Sequence, residues 1–243
     1  MDTINSEQNK KREQVESMFD SIAWRYDFLN HFLSFGIDFL WRRRAIRIIG
    51  RSYRNPMILD VATGTCDLAL AAMKLDPVRI HGIDISSGML ELGRQKVEKR
   101  GMSDRIELTK ADSENIPFEN DFFDVAMVAF GVRNFADPNK GLSEMGRVLR
   151  KGGMIMVLEF SRPVSFPFST IYNFYFRNIL PFFGRLFSKD KAAYTYLPES
   201  VSRFPDNEKF LEMLDSAGFS ETRQVKLTGG IASIYTGIKK TGQ

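Results

Sequence analysis

The sequence of 243 residues predicts a doubly wound α/β fold: a mostly parallel sheet with a C-terminal antiparallel hairpin, a helical N-terminal extension, and an aromatic helical insertion after the fifth strand. Three observations carry this prediction. Five short apolar runs alternate with segments of helical periodicity. The first three runs each end at or near an aspartate, Asp60, Asp84 and Asp112. Two further runs at the C-terminus are separated only by a turn containing Gly229 and Gly230, too short for a crossover helix and therefore a hairpin.

In chain order, residues 1–9 read as a disordered tail and residues 10–50 as helical, with a break at Ser34–Gly36. Pro56–Val61 is the first strand, and Ala62–Thr65 the turn into a helix through Leu68, Ala69, Ala72 and Met73. Arg79–Ile85 is the second strand. Ser86 caps a helix that runs to Lys99 and turns Met89, Leu90, Gly93 and Val97 inward. Ile106–Lys110 is the third strand and Phe122–Phe130 the fourth, an almost unbroken apolar run of the kind expected for a strand buried on both faces. Asp137 and Pro138 open the next helix, Leu142, Met145, Val148 and Leu149 mark its inner face, and Lys151, Gly152 and Gly153 close it before the fifth strand, Met154–Phe160. A helix over Asn207–Ala217, stopped by Gly218, precedes strands at Thr222–Leu227 and Ile231–Lys239. Residues 10–243 read as one domain, with residues 10–50 its extension and residues 164–200 its insertion.

Charge and aromatic content are unevenly spread. Of 30 Phe, Tyr and Trp, eight fall in residues 19–41 and nine in residues 166–187. No acid lies between Asp38 and Asp60, where six arginines stand, and none between Glu159 and Asp190, where four basic residues stand; the net charge is +4, so the remainder of the chain is near −6. The one cysteine, Cys66, excludes an intrachain disulfide and fits a reducing cytoplasm. The Phe-rich segment is broken by Pro167, Asn173, Arg177, Asn178 and Pro181, so it does not read as a membrane span. The polar N-terminus does not read as a targeting peptide. His31, His81 and Cys66 offer no zinc spacing, and no metal is expected.

Open parallel sheets bind ligands at the carboxyl ends of their strands. After the first strand, Gly64 lets the backbone approach a ligand closely, but Ala62 and Cys66 replace the outer glycines of a dinucleotide fingerprint, which disfavours a nicotinamide cofactor. Asp84 stands 20 residues beyond Gly64, where an acid accepts hydrogen bonds from ribose hydroxyls; a helix-capping acid is its alternative reading. Asp112 and Ser113, after the third strand, suit an adenine amino group, or simply a surface turn.

These residues carry a resemblance. Ile58–Leu68, the Asp84 segment through Leu90, Ala111–Phe118 with Phe123 and Asp124, and Arg147–Gly153 resemble the class I S-adenosylmethionine-dependent methyltransferases, whose sheet is Rossmann-like. Phe19–Trp41, Phe130–Asn134, Val157–Pro163 and Ala192–Ser200 are similar, more narrowly, to the demethylmenaquinone and 2-polyprenylbenzoquinol C-methyltransferases of quinone biosynthesis. The resemblance spans about Val15 to Ile238. It implies S-adenosylmethionine as donor, with Thr65 at its methionine end, Asp84 at the ribose, Asp112 and Ser113 at the adenine, and Ala129 as a lining residue. Two positions depart from the pattern: Cys66 stands where relatives often have glycine, and Ala129 where they often have serine. Cys66 reads as a small buried hydrophobe rather than a reactive thiol.

Methyl transfer requires a nucleophilic carbon in line with the donor's S–CH3 bond, so catalysis is mainly positioning. A phenolic hydroxyl ionises near pH ~10, so a reactive quinolate at neutral pH needs a nearby cation, a base or both. Arg133, on the rim after the fourth strand, is the expected catalytic residue, and an ion pair with Asp137 is its alternative reading. Asn134 would orient the same oxygen, Tyr26 and Asp27 would form a lid, and His31 is a weaker candidate base.

The resulting expectation is a ring C-methyltransferase acting on a prenylated quinol, with demethylmenaquinol preferred. A ubiquinone-branch acceptor, another small-molecule acceptor and a non-catalytic peripheral lipid-binding protein are the alternatives. The Gly131–Asn134 loop lacks the Asn/Asp-Pro-Pro-aromatic pattern of base methylation, so nucleic acid is not an expected partner. The aromatic and Arg-rich stretches suggest contact with an anionic membrane surface from the cytoplasmic side. A homo-oligomer is left open.

Overall fold

The computed structural model describes residues 8–21, 23, 36–174, 178, 196 and 199–241. All seven expected strands form: β1 (Met57–Val61), β2 (Arg79–Asp84), β3 (Ile106–Lys110), β4 (Phe123–Ala129), β5 (Leu149–Phe160), β6 (Phe219–Leu227) and β7 (Ala232–Lys239). They make one sheet in the order β3-β2-β1-β4-β5-β7-β6, parallel through β5, with β7 antiparallel to both β5 and β6. The strand order reverses between β1 and β4, which pair through Ile58↔Val125 and Asp60↔Met127. A crevice opens beyond the carboxyl ends of strands at such a point.

Six helices matter to the argument: α1 (residues 8–21), α2 (Ile37–Ile49), α3 (Asp67–Ala72), α4 (Ser87–Lys99), α5 (Pro138–Val148) and α6 (Phe168–Phe174); α7 (Glu208–Ser216) precedes the hairpin. Alternate strand residues divide the core between the two faces of the sheet. Ile58, Val125, Met127, Met156 and Leu158 join Trp41, Ala45, Ile49, Leu68 and Ala72 on the α2–α3 face. Leu59, Val61, Val128, Ile155 and Val157 join Leu142, Met145, Phe210 and Leu214 on the α5–α7 face. This double coverage is why β4, apart from Asp124, reads as an apolar run.

The caps follow the expected chemistry. Ser86 Oγ accepts from the Met89 amide at 3.1 Å, so Ser86, not Asp84, is the side-chain cap of α4. Asp137 accepts from the amides of Asn139 and Lys140 at the start of α5. Two boundaries differ from expectation. The Lys151–Gly153 segment belongs to β5: Leu149 pairs with Phe123, residues 150–153 bulge out with Gly152 at φ 73°, and pairing resumes at Val125↔Met154. β6 begins at Phe219 rather than Thr222, because the fully buried Phe219 ring anchors the strand end beside Gly146 and Gly237. At the N-terminus, helix is already present at residue 8, inside the segment read as a tail.

Candidate active site

An open cleft of about 690 Å³ lies at the ends of β1–β4, with Gly64, Asp84, Asp112, Ser113, Ala129 and Asn134 in its wall. A second lobe of about 380 Å³ shares Gly64 and Ala129 and is lined further by Arg42, Asp60, Thr63 and Thr65. Five of the six residues expected to hold the donor therefore meet in the main cleft. Thr65 stands in the lobe, where its hydroxyl accepts from Lys96 Nζ at 2.9 Å.

The turn after β1 is built to bring backbone close to a ligand. Ala62, Gly64 and Cys66 all have positive φ, at 50°, 55° and 70°, and a side-chain carbon at Gly64 would meet nothing within 4 Å. The left-handed conformation of Cys66 is one that glycine adopts without strain. Cys66 is fully buried, burial pushes its thiol up to about 12, and a methyl group on Gly93 would come within 2.6 Å of its Sγ. It fills space and is not a nucleophile at neutral pH.

Asp84 Oδ2 accepts from the Gly64 amide and Oδ1 from the Ser86 amide, both at 2.8 Å. Burial raises its carboxyl to about 6, against the lowering effect of those amides. Asp60 is 1% exposed, and burial raises it to about 7 even though Thr63 Oγ1 donates to it at 2.6 Å. Arg42 is also buried, paired with Asp38 one turn earlier on α2, and its Nε makes no hydrogen bond. The lobe thus offers a buried acid, an unsatisfied guanidinium donor and the Thr65 hydroxyl. That set suits an amino acid carboxylate and ammonium, and the adjacent Asp84 suits a ribose diol. The residues present fit S-adenosylmethionine.

Helix α1 lies across the cleft, a position that the sequence reading did not assign. Arg12 Nε approaches Asp112 Oδ2 at 2.7 Å and its Nη2 approaches Glu114 at 3.1 Å. Glu16 pairs with Lys110 at 2.6 Å, and Asp20 accepts from Ser86 Oγ at 2.5 Å and from the Gly88 amide at 2.9 Å. Asp112 is therefore engaged by α1, while Ser113 stands beside it in the wall.

Arg133 sits on the turn Val132–Asn134, but its guanidinium does not line the cleft. Its Nη1 donates to Glu159 Oε1 at 2.8 Å and to the Phe130 carbonyl, and it lies 5.4 Å over the Phe160 ring. The partner is Glu159 at the end of β5, fully buried, and not Asp137. Burial raises the Glu159 carboxyl and the Arg133 charge opposes that rise. Asn134 does line the cleft, and the Tyr196 hydroxyl donates to its Oδ1 at 3.0 Å. Burial raises the Tyr196 phenol, and Arg133 is the first influence that lowers it. Tyr26, Asp27 and His31 lie outside the described residues.

Sequence reasoning missed Arg12, Arg42, Asp60, Glu159 and Tyr196. Asp60 was open to the strand-end rule that selected Asp84; the others reach the site through packing of distant segments.

Comparison with solved structures shows the fold. A SAM-dependent methyltransferase from Thermotoga maritima superposes with a TM-score of 0.64 at 21% identity, over 93% of this chain and 100% of that one. A SAM-dependent methyltransferase from Aquifex aeolicus gives a TM-score of 0.59 at 18% identity, over 81% of this chain and 88% of that one. The fold is the Rossmann-like methyltransferase fold.

Sequence relatives narrow this further. The chain is 46% identical to the demethylmenaquinone methyltransferase of Bacteroides fragilis, over 96% of both chains. It is 50% identical to the ubiquinone/menaquinone biosynthesis C-methyltransferase UbiE of Geotalea daltonii, over 95% of this chain and 98% of that one. The profile of the ubiE/COQ5 methyltransferase family matches residues 6–239, and this chain belongs to that family. It is a SAM-dependent C-methyltransferase.

Proposed function

We propose that the enzyme methylates a ring carbon of demethylmenaquinol, giving menaquinol, with S-adenosylmethionine as donor. The relatives' names support the menaquinone branch. The observation that supports the site reading is the placement of Asp84, Asp112, Ser113 and Asn134 in the wall of one cleft, whose second lobe is lined by Arg42 and Asp60, with Tyr196 bonded to Asn134 and the Arg133–Glu159 pair behind that turn.

The donor supplies a methyl group on a sulfonium. Asp84 holds the ribose hydroxyls, Gly64 and Thr65 border the methionine end, Ser113 with Asp112 edges the adenine, and Ala129 contributes a small lining surface between the lobes. Near Asn134, the ring hydroxyl of the acceptor must ionise before its neighbouring carbon becomes nucleophilic. The Tyr196 phenol is a built-in probe of that place, and the Arg133 charge acts on it toward the ionised form. The same charge would favour a quinolate beside it. Arg133 therefore acts as the electrostatic support of the acceptor, with Glu159 fixing its position.

The acceptor's prenyl tail needs an apolar environment, and we place the enzyme in the cytoplasm, working at the inner face of the cytoplasmic membrane. No helix of the described residues is long and apolar enough to cross a membrane. The test is a methyl-transfer assay with purified enzyme and labelled donor, offering demethylmenaquinol, a 2-polyprenylbenzoquinol and RNA in parallel. Transfer to demethylmenaquinol alone supports the reading, transfer to both quinols widens it to the ubiquinone branch, and transfer only to RNA overturns it.

A further inference from the structure

Helix α2 presents two different faces. Asp38, Trp41, Arg42, Ala45, Ile46 and Ile49 are buried, and Arg42 reaches the donor lobe. Phe39, Leu40, Arg43 and Arg47 are exposed and share the opposite stripe at 3.6 residues per turn, which Arg51 and Arg54 continue beyond the helix end. Phe39 and Leu40 are 55% and 63% exposed. Among the described residues, no carboxylate pairs with Arg43, Arg47, Arg51 or Arg54. By contrast Arg42, Arg133, Arg147 and Arg162 are all ion-paired.

The N-terminal end of this stripe lies at the carboxyl edge of the sheet. Trp41 Nε1 donates to Thr228 Oγ1 at 2.8 Å, and the Trp41 ring stands edge-on to Phe160 at 6.2 Å. The same Thr228–Gly230 turn is flanked by the segment that follows β5: Ser161 Oγ donates to the Gly230 carbonyl at 2.8 Å, and the Phe168 ring leaves no room for a side chain at Gly229. In that segment Val164 and Phe166 are each 83% exposed. Large apolar side chains thus project at the mouth side of the molecule, where the arginine stripe begins, and among the described residues that stripe has no counter-charge. A nucleic acid would use the arginines but gains little from exposed aliphatic groups. An anionic bilayer uses both, because headgroups take the guanidinium charges and the interface takes the apolar side chains.

We propose that the outer stripe of α2, with the Val164–Phe166 edge, is a docking surface for an anionic lipid bilayer. It sets the cleft against the layer that holds a prenylated acceptor, a purpose that rests on the quinol reading above. The inner face of α2 carries Arg42 into the donor lobe, so the docked helix joins membrane and site in one rigid element.

The test is co-sedimentation of the full chain with phosphatidylcholine vesicles with and without phosphatidylglycerol, at low and high salt. Methylation of a tail-less, water-soluble quinol is measured in parallel. Wild type should bind the anionic vesicles and lose affinity as salt rises. R43Q/R47Q should lower the partition coefficient by roughly thirtyfold, and Leu40→Ser with Phe166→Ser by about tenfold. Both variants should methylate the soluble quinol at the wild-type rate. Absence of vesicle binding by folded wild type, equal binding by the variants, or tighter binding of duplex RNA at the same salt overturns the docking surface. Loss of soluble-quinol methylation in wild type, with docking intact, refutes the acceptor reading instead.

Discussion

Two groups of buried carboxylates sit at the strand ends, and they are treated differently. Asp60 and Asp84, at the ends of β1 and β2, accept only neutral donors, a threonine hydroxyl or backbone amides, and burial lifts them to about 7 and about 6. Glu159, near the end of β5, faces the Arg133 guanidinium at 2.8 Å. The first pair keeps capacity for a ligand's cation and hydroxyls. The second is balanced before any ligand arrives. A buried pair of this kind fixes geometry more than it adds net stability.

Breaking the balanced side should give the largest effect. Arg133→Ala leaves Glu159 uncompensated in the core, and chemical denaturation should show a loss of about 3–5 kcal/mol. Arg133→Lys keeps the charge but loses the planar guanidinium whose Nη1 bonds both Glu159 and the Phe130 carbonyl; its kcat should fall at least tenfold while calorimetric donor affinity stays near wild type. Unchanged kcat in a folded Arg133→Lys enzyme would remove the electrostatic role.

On the open side, Asp84→Ala should weaken donor binding by about two orders of magnitude, since hydrogen bonds to a charged acceptor are worth about 1.5–3 kcal/mol each. The KM for quinol should hardly move. A donor affinity within threefold of wild type would place the ribose elsewhere.

The raised carboxyls also predict opposite pH trends for binding and folding. Donor binding needs the ionised acids, so affinity should rise about tenfold between pH 6 and 8 as Asp60 deprotonates, and Asp60→Asn should flatten that rise. Both acids have folded pKa values above their unfolded values. Their contribution to ligand-free stability is therefore full below about pH 4 and lost as pH rises through about 6 and 7. Melting curves of the ligand-free enzyme, compared with Asp60→Asn, read this directly: the variant should lose the decline near neutral pH.

The smallest expected effect concerns packing behind the open side. Gly93→Ala brings a methyl group to 2.6 Å from Cys66 Sγ, an overpacking cost of about 1–3 kcal/mol. Combining it with Cys66→Gly should recover most of that loss, and additive losses in a double-mutant cycle would show that the two positions do not touch.

Much of this was legible along the chain because it depends on local chemistry. The turn at Gly64, the Ser86 and Asp137 caps, the doubly covered β4 and the Gly229–Gly230 hairpin each follow from residues a few positions apart. Asp84 and Asp112 could be placed because parallel strands deliver their carboxyl ends to one edge, whatever lies between them. The bulge at residues 150–153 was not legible, since two glycines after a helix look the same whether the chain leaves the sheet or re-enters it.

The sequence by itself determined the sheet, the strand ends where the cleft opens and the chemical class. Only the tertiary structure decided that Arg133 answers to Glu159 rather than Asp137, that Arg12 closes on Asp112, and that Arg42 turns inward while Arg43 and Arg47 face out. Partners within one turn or one strand end are set by helical and pleated geometry. Partners from separate segments are set by which faces the core buries, and an arginine's neighbours in sequence do not carry that information.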